Sequence, residues 1–154
     1  MIQVFDSWAG ELSPSTFKKF SEPYLAYIAQ HLPGKLREMG LDVVPMIVFA
    51  KGANQSLDSV CNLGYNVVGL DWLVNPVDAV KIRGDRKIVF QGNADPGVLY
   101  GSKEAISDTV KEMVEGFGGG KGGWIANLGH GITPFVKPDD LKFYLEEIQR
   151  LTSQ

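Results

Sequence analysis

The sequence predicts a parallel α/β fold, doubly wound or closed into a barrel, and three observations carry this. Five short apolar runs alternate with stretches of helical periodicity along the 154 residues. Several runs are nearly continuous in apolar residues, as expected of strands covered by helices on both faces. Each run ends in a polar or glycine-containing turn, and in parallel α/β folds ligands bind beyond those carboxyl ends.

Ile2 to Phe5 is the first strand, followed by Asp6-Ser7-Trp8-Ala9-Gly10. Ser13 supplies an N-cap acceptor, and Pro14 suits the first helical position. Phe17, Phe20, Tyr24, Leu25 and Ile28 then recur at helical spacing, with a kink or split predicted at Pro23. Lys35 to Met39 is a further helical piece, closed by Gly40. Pro45 to Phe49 is the second strand and ends in Lys51-Gly52. A short helix over about Leu57 to Asn62 precedes the third strand, Tyr65 to Leu70, which ends in Asp71-Trp72. One helical turn or slightly more is expected from Pro76 to Val80. Ile88 to Phe90 is the fourth strand, ending in Gln91-Gly92-Asn93-Ala94-Asp95-Pro96. Ser102 caps a helix to about Phe117, with Ile106, Val110, Met113 and Val114 on one face. Gly116 to Gly123 is a glycine-rich connector to the fifth run, Trp124-Ile125-Ala126-Asn127-Leu128-Gly129-His130-Gly131. Lys137-Pro138 opens the last helix, whose apolar stripe is Leu141, Phe143, Tyr144, Leu145, Ile148 and Leu151.

Apolar residues make up 44% of the chain and charged residues 21%, the balance of one soluble globular domain. A net charge of −3 argues against a broad basic surface for nucleic acid or an anionic membrane. Cys61 is the single cysteine, which excludes an intrachain disulfide framework and fits a reducing, cytoplasmic compartment. The opening Met-Ile-Gln-Val-Phe-Asp is neither a signal peptide nor a membrane span, so the Asn54-Gln55-Ser56 sequon reads as chance.

The strand ends offer Asp6, Ser7, Lys51, Asp71, Asn93, Asp95, Asn127 and His130. Loops meet water and are polar for that reason, which accounts for most of this set and leaves two or three residues with a function. His130 stands out because glycines on both sides permit a tight turn and close approach of a ligand. A histidine there can act as an acid, a base or a hydrogen-bond partner. Gly118 to Gly123 does not make a phosphate loop: Lys121 is followed by Gly122 where Ser or Thr is needed, and the stretch leads from helix to strand. Lys51 could form a Schiff base, but nothing near it in sequence argues for a depressed pKa. Asp6, Asp71, Asp95 and His130 contain no close-spaced ligand pair, and Cys61 has no partner, so no metal is expected.

Four motifs in order, Val4-Phe5-Asp6-Ser7-Trp8-Ala9-Gly10, Val68-Gly69-Leu70-Asp71-Trp72, Gln91-Gly92-Asn93-Ala94-Asp95-Pro96 and Asn127-Leu128-Gly129-His130-Gly131, resemble uroporphyrinogen decarboxylase of haem biosynthesis. The resemblance runs over essentially the whole chain. It implies an eight-stranded (β/α) TIM barrel, usually a cytosolic homodimer. The implied activity is removal of four acetate carboxyls from uroporphyrinogen, giving coproporphyrinogen, with no metal or organic cofactor. By that match Ser7 and His130 contact pyrrole side-chain carboxylates, and Phe5 helps form the apolar wall against the macrocycle. No catalytic role carries over to Asp71 or Asn93.

The match also implies that residues 1–154 are the C-terminal part of a single barrel domain, a partial (β/α)8 barrel of about five βα units. The family's arginine-rich loop, its aspartate for the pyrrole NH groups and a substrate-binding tyrosine have no counterpart here, so no catalytic residue is expected in this chain. Five units are too few to close a barrel. Charge agrees: the substrate carries eight carboxylates, yet Arg37, Arg83, Arg86 and Arg150 fall late in helices or just before strands, on the face away from the site. Only Lys51, Lys103 and Lys137 lie in or near the βα loops. The chain alone is therefore expected to be inactive. A second reading is non-enzymatic: a truncated or split-gene product that binds porphyrinogen or pairs with a full-length subunit. A third is a zinc-dependent methyltransferase of related fold, against which the missing His/Cys ligand set counts.

Overall fold

The computed structural model describes residues 1–153. Its five strands are β1 (Ile2–Asp6), β2 (Met46–Ala50), β3 (Val67–Gly69), β4 (Val89–Ala94) and β5 (Trp124–Leu128). All neighbours pair in parallel, and the sheet order is β1-β2-β3-β4-β5. A doubly wound sheet reverses its strand order partway, whereas a barrel adds each strand beside the last. The sequential order therefore selects the barrel alternative, here an open arc of five strands.

The helices follow from local chemistry. Ser13 accepts the Thr16 N–H to cap α1 (Pro14–Phe20), and α2 (Glu22–Glu38) starts immediately after Ser21. The split predicted at Pro23 thus falls where proline sits in the first turn of α2. Lys35 to Met39 is not a separate piece, as the sequence suggested, but the end of α2, which runs through Pro33. Proline forfeits one backbone bond there; Leu25 and Ala29 before it are buried, and Leu32 packs on the core, so tertiary packing carries the helix onward. Gly40 at φ 71° then lets Leu41 N–H reach back to the Leu36 carbonyl.

A 3₁₀ turn at Asn54–Ser56 leads into α3 (Leu57–Val60). The helix after β3, α4 (Pro76–Arg83), is longer than expected. Asn75 caps it, and its only fully buried residue is Ala79, so it lacks the apolar stripe that reveals length in a sequence. The third strand is shorter than the run Tyr65 to Leu70, and the fourth is longer than Ile88 to Phe90. Gln91 to Ala94, read as a turn, pairs with Ile125 to Leu128 of β5. Helices α5 (Lys103–Gly116) and α6 (Pro138–Thr152) match their expected spans. Leu145 of the α6 stripe is exposed, however, as are Phe20 and Tyr24 of the first helical pair.

Helices cover one face of the sheet instead of both. The continuous core takes Met46, Val48, Val68 and Phe90 from the strands, with Phe17, Leu99, Ile106, Val110 and Tyr144 from the surrounding elements. Ile47 and Val67 are buried yet lie outside that cluster. They pair with one another in register and face the concave side of the arc. The apolar runs are continuous because the second face is also packed, strand residue against strand residue, as inside a barrel.

Helices α5 and α6 are joined by a charged clasp. Ser107 Oγ donates to Glu147 at 2.5 Å, and Arg150 grips the same carboxylate with two N–H groups at 2.6 and 2.9 Å. The Arg150 and Ser107 hydrogen bonds hold Glu147 well below its ordinary range, at about 2. A carboxylate with a depressed folded pKa contributes stability that is full above its unfolded value and is lost as pH falls through the folded one. Glu147→Gln should therefore melt below the wild type at pH 7. The gap in Tm should shrink as pH falls from about 4.5 towards about 2. A gap that stayed constant over that interval would show that the charge is not what joins the helices.

Candidate functional site

The loops at the carboxyl ends of the strands are stitched to one another. Asp71, just beyond β3, is only 3% exposed. Its carboxylate accepts Gly52 N–H at 2.6 Å, Leu73 N–H at 2.9 Å and Asn54 Nδ2 at 3.2 Å. The Asp71 carbonyl accepts Asn93 Nδ2 at 3.0 Å, and the same amide reaches the Val74 carbonyl at 2.6 Å. On one side Lys51 bonds through its N–H to the Asp6 carbonyl and through its carbonyl to Gly10 N–H. On the other, Gly129 N–H bonds to the Ala94 carbonyl at 2.7 Å. These bonds tie the carboxyl ends of all five βα units into one rim. Two contacts leave no room for a side chain: a Cβ on Gly129 would lie 2.5 Å from Trp72 N, and one on Gly52 would lie 2.8 Å from Gly10 Cα.

Several polar residues at the strand ends are thereby assigned to the frame. Asp71 and Asn93 are buried, the first with both carboxylate oxygens engaged and the second with its amide nitrogen shared between two carbonyls. Asp6 accepts a hydrogen bond from Ser21 Oγ, and Asp95 caps the 3₁₀ turn Pro96–Tyr100. Among the described residues, no group of three or more His, Cys, Asp and Glu is placed to share a metal ion. Cys61 is buried, and burial pushes its thiol up to about 11. The glycine-rich stretch Gly118 to Gly123 enters β5 from its N-terminal end, on the opposite rim.

Inside the rim lies a cavity of about 360 Å³. Phe5 and His130 both line it, from opposite ends of the strand order. Ser7 is exposed, one residue past β1, and is not among the lining residues. Because every strand is parallel, Ser7 and His130 nonetheless follow strand ends on the same rim. Phe5 stands edge-on to Phe49, with ring centroids 6.2 Å apart. Phe49 in turn lies over Gly69, where a Cβ would come within 2.8 Å of its ring. His130 accepts the Gly131 N–H on Nδ1 at 2.6 Å, so in the neutral ring Nε2 carries the proton. Its ring packs 6.0 Å from that of Trp72.

Sequence reasoning missed Gln3, Phe49 and Tyr144 as lining residues. Gln3 was a polar residue within an apolar strand, the one available signal. Tyr144 was read only as part of an apolar stripe. It is 2% exposed, its OH donates to the Asn127 carbonyl at 3.2 Å, and burial raises its phenol pKa.

Sequential parallel strands, helices on the convex side and a cavity at the carboxyl ends define a segment of a β/α-barrel protein. A solved structure agrees on the fold: a methyltransferase from Methanosarcina mazei aligns with a TM-score of 0.76 over 97% of this chain and 42% of its own, at 17% identity. The chain belongs to the uroporphyrinogen decarboxylase family, whose model, "Uroporphyrinogen decarboxylase (URO-D)", matches residues 1–151. Uroporphyrinogen decarboxylase of Schizosaccharomyces pombe is 54% identical over 99% of this chain and 43% of its own length. The enzymes of Danio rerio and Homo sapiens are 46% and 42% identical, with 41% and 40% of their lengths covered. The chain thus spans about 40% of these relatives.

Asp71 holds three donors from two loops, and its removal leaves them without an acceptor. Asp71→Ala is expected to lower stability by about 3 kcal/mol, measured by urea denaturation. The environment of Trp72, read by its fluorescence, should change with it. A variant within 0.5 kcal/mol of wild type, roughly the level of an ordinary surface substitution, would show that the loops hold their places without this carboxylate.

Proposed function

We propose that residues 1–154 form the C-terminal wall of a uroporphyrinogen-decarboxylating site, as part of a single barrel domain. The observation that carries this is the placement of Phe5 and His130 in one cavity at the carboxyl ends of parallel strands. In this reading His130 donates from Nε2 to a pyrrole side-chain carboxylate, and Ser7 Oγ donates to another from the rim. Both act by positioning. Phe5, backed by Phe49, offers an apolar face to the macrocycle.

The chemistry lies in the substrate. Protonation of an electron-rich pyrrole makes the ring an electron sink. The electrons of the C–CO₂ bond flow into it and carbon dioxide leaves; a proton then adds to the exocyclic carbon to complete the methyl group, and the proton first placed on the ring is lost, restoring the pyrrole. Repeated at four acetates, this gives coproporphyrinogen. A carboxylate supplied by other barrel units would stabilise the cationic ring by preorganised electrostatics. Among the described residues no helix is long and apolar enough to cross a membrane. The proposal places the complete enzyme in the cytosol as a homodimer.

The arginines support the view that this chain does not work alone. Arg83 donates to the Gly122 carbonyl at 2.7 Å, and Arg86 pairs with Asp58 at 2.6 Å, both before strand entry on the rim opposite the cavity. A substrate with eight carboxylates needs cations that these residues cannot bring to it. A specific observation also favours the non-enzymatic alternative of pairing with a full-length subunit. Phe5, Trp8, Phe20 and Tyr24 leave an exposed apolar groove along the unpaired edge of β1.

Purified 154-residue chain, assayed with uroporphyrinogen under reducing conditions, should give no coproporphyrinogen. Mixed with a separately expressed N-terminal section of a relative, it should recover turnover, and His130→Ala should lower that turnover at least about tenfold, the equivalent of one charge-assisted hydrogen bond. Turnover by the chain alone would refute the division of labour. Association with a full-length subunit but no activity in the mixture would favour the pairing alternative.

A further inference from the structure

Lys51, Trp72 and His130 belong to the loops after β2, β3 and β5, yet they form one chain of contacts on the rim. Lys51 Nζ lies 5.9 Å from the centre of the Trp72 indole, and the His130 ring lies 6.0 Å from the same indole at 57°. The backbone of Lys51 is held on both sides, by the Asp6 carbonyl and by Gly10 N–H, so its side chain starts from a fixed point. Asp71 makes no ion pair with it, and the Asp71 oxygens accept instead from Gly52, Leu73 and Asn54. Among the described residues Lys51 joins no ion pair. Lys103, another lysine near this rim, is closed off by Asp140 at 2.7 Å and by the Phe143 ring.

An ammonium group over an indole is attracted to the ring face without using its N–H donors. A half-buried lysine in that state is oriented, charged and able to take an anion. We propose that Lys51 is a further carboxylate-recognition residue of the site, acting beside His130 on one polycarboxylate ligand, with Trp72 as the positioning residue that both side chains share. The inference rests on the site reading above and extends it to a residue that neither the cavity lining nor the sequence motifs assigned to substrate.

The test uses uroporphyrin, the oxidised macrocycle with the same eight carboxylates, titrated against the whole 154-residue chain by porphyrin fluorescence at several salt concentrations. Lys51→Met should weaken binding about tenfold and flatten its salt dependence. Lys51→Gln serves as a second neutral variant, Lys51→Arg should retain most of the affinity, and circular dichroism checks the fold of each. Trp72→Leu should weaken binding less than Lys51→Met, since the charge remains but its orientation is lost. If both neutral variants bind like wild type while His130→Ala binds more weakly, the role of Lys51 is overturned and the site reading stands. Equal losses in Lys51→Met and Lys51→Arg would make the lysine structural and also overturn the proposal. No effect from any of these variants, or no saturable binding by the wild-type chain, would overturn both.

Discussion

The buried carboxylate of Asp71 is the point from which the rim is built. A charge removed from water must be met by hydrogen bonds, or the fold bears several kcal/mol of desolvation. Here three donors meet it, two of them backbone N–H groups whose positions set the paths of the loops after β2 and β3. Its own carbonyl then orders Asn93 at the end of β4, and β5 closes on this frame through Gly129. Lys51, Trp72 and His130 are placed by their distance in sequence from these bonds: one residue before Gly52, one after Asp71 and one after Gly129. Their placement therefore depends on Gly52, Asp71 and Asn93, none of which lines the cavity.

The two faces of the sheet divide the work. One parity of strand residues packs against the helices and supplies the core. The other carries Ile47 and Val67 deep in the arc, with Phe5, Phe49 and Gln91 nearer the carboxyl ends. Gly69 lies between Phe49 and Gln91 in the same row of the sheet, and its missing side chain makes space for the Phe49 ring. Phe49 can then stand against Phe5, so one absent methyl at β3 shapes the apolar wall two strands away.

Much of this was legible in the sequence, because alternating apolar runs and helical periods are local signals. Capping residues Ser13 and Ser102 were visible for the same reason. The errors arose where tertiary contacts outweigh local propensity. Pro33 is tolerated because Leu25, Ala29 and Leu32 anchor the three turns of α2 that precede it, and β4 continues through Gly92 and Asn93 because β5 pairs with them. The polar strand ends could be enumerated but not sorted. Asp71 and Ser7 look alike in sequence, and only burial shows that one belongs to the frame while the other meets solvent. The contact between Lys51 and His130 through Trp72 joins residues 21 and 58 positions apart across three loops, a relationship that no spacing rule encodes.

The distribution of charge follows from helix electrostatics and sets the limit on what five βα units can bind. Basic residues stabilise helix C-termini and acidic residues helix N-termini. Accordingly Lys35, Arg37, Lys81, Arg83 and Arg150 occupy last turns, while Asp78, Glu104, Asp139 and Asp140 occupy first turns. In a β/α unit the helix N-terminus faces the ligand rim and its C-terminus the opposite one. The same rule that stabilises each helix thus draws carboxylates towards the cavity and guanidinium groups away from it. A polyanion of the proposed kind would meet a rim whose helix-borne acidic charges oppose it, relieved on that side by the lysines Lys51, Lys103 and Lys137. Further compensating cations must then come from loops, and in this chain those loops carry no arginine on the ligand side.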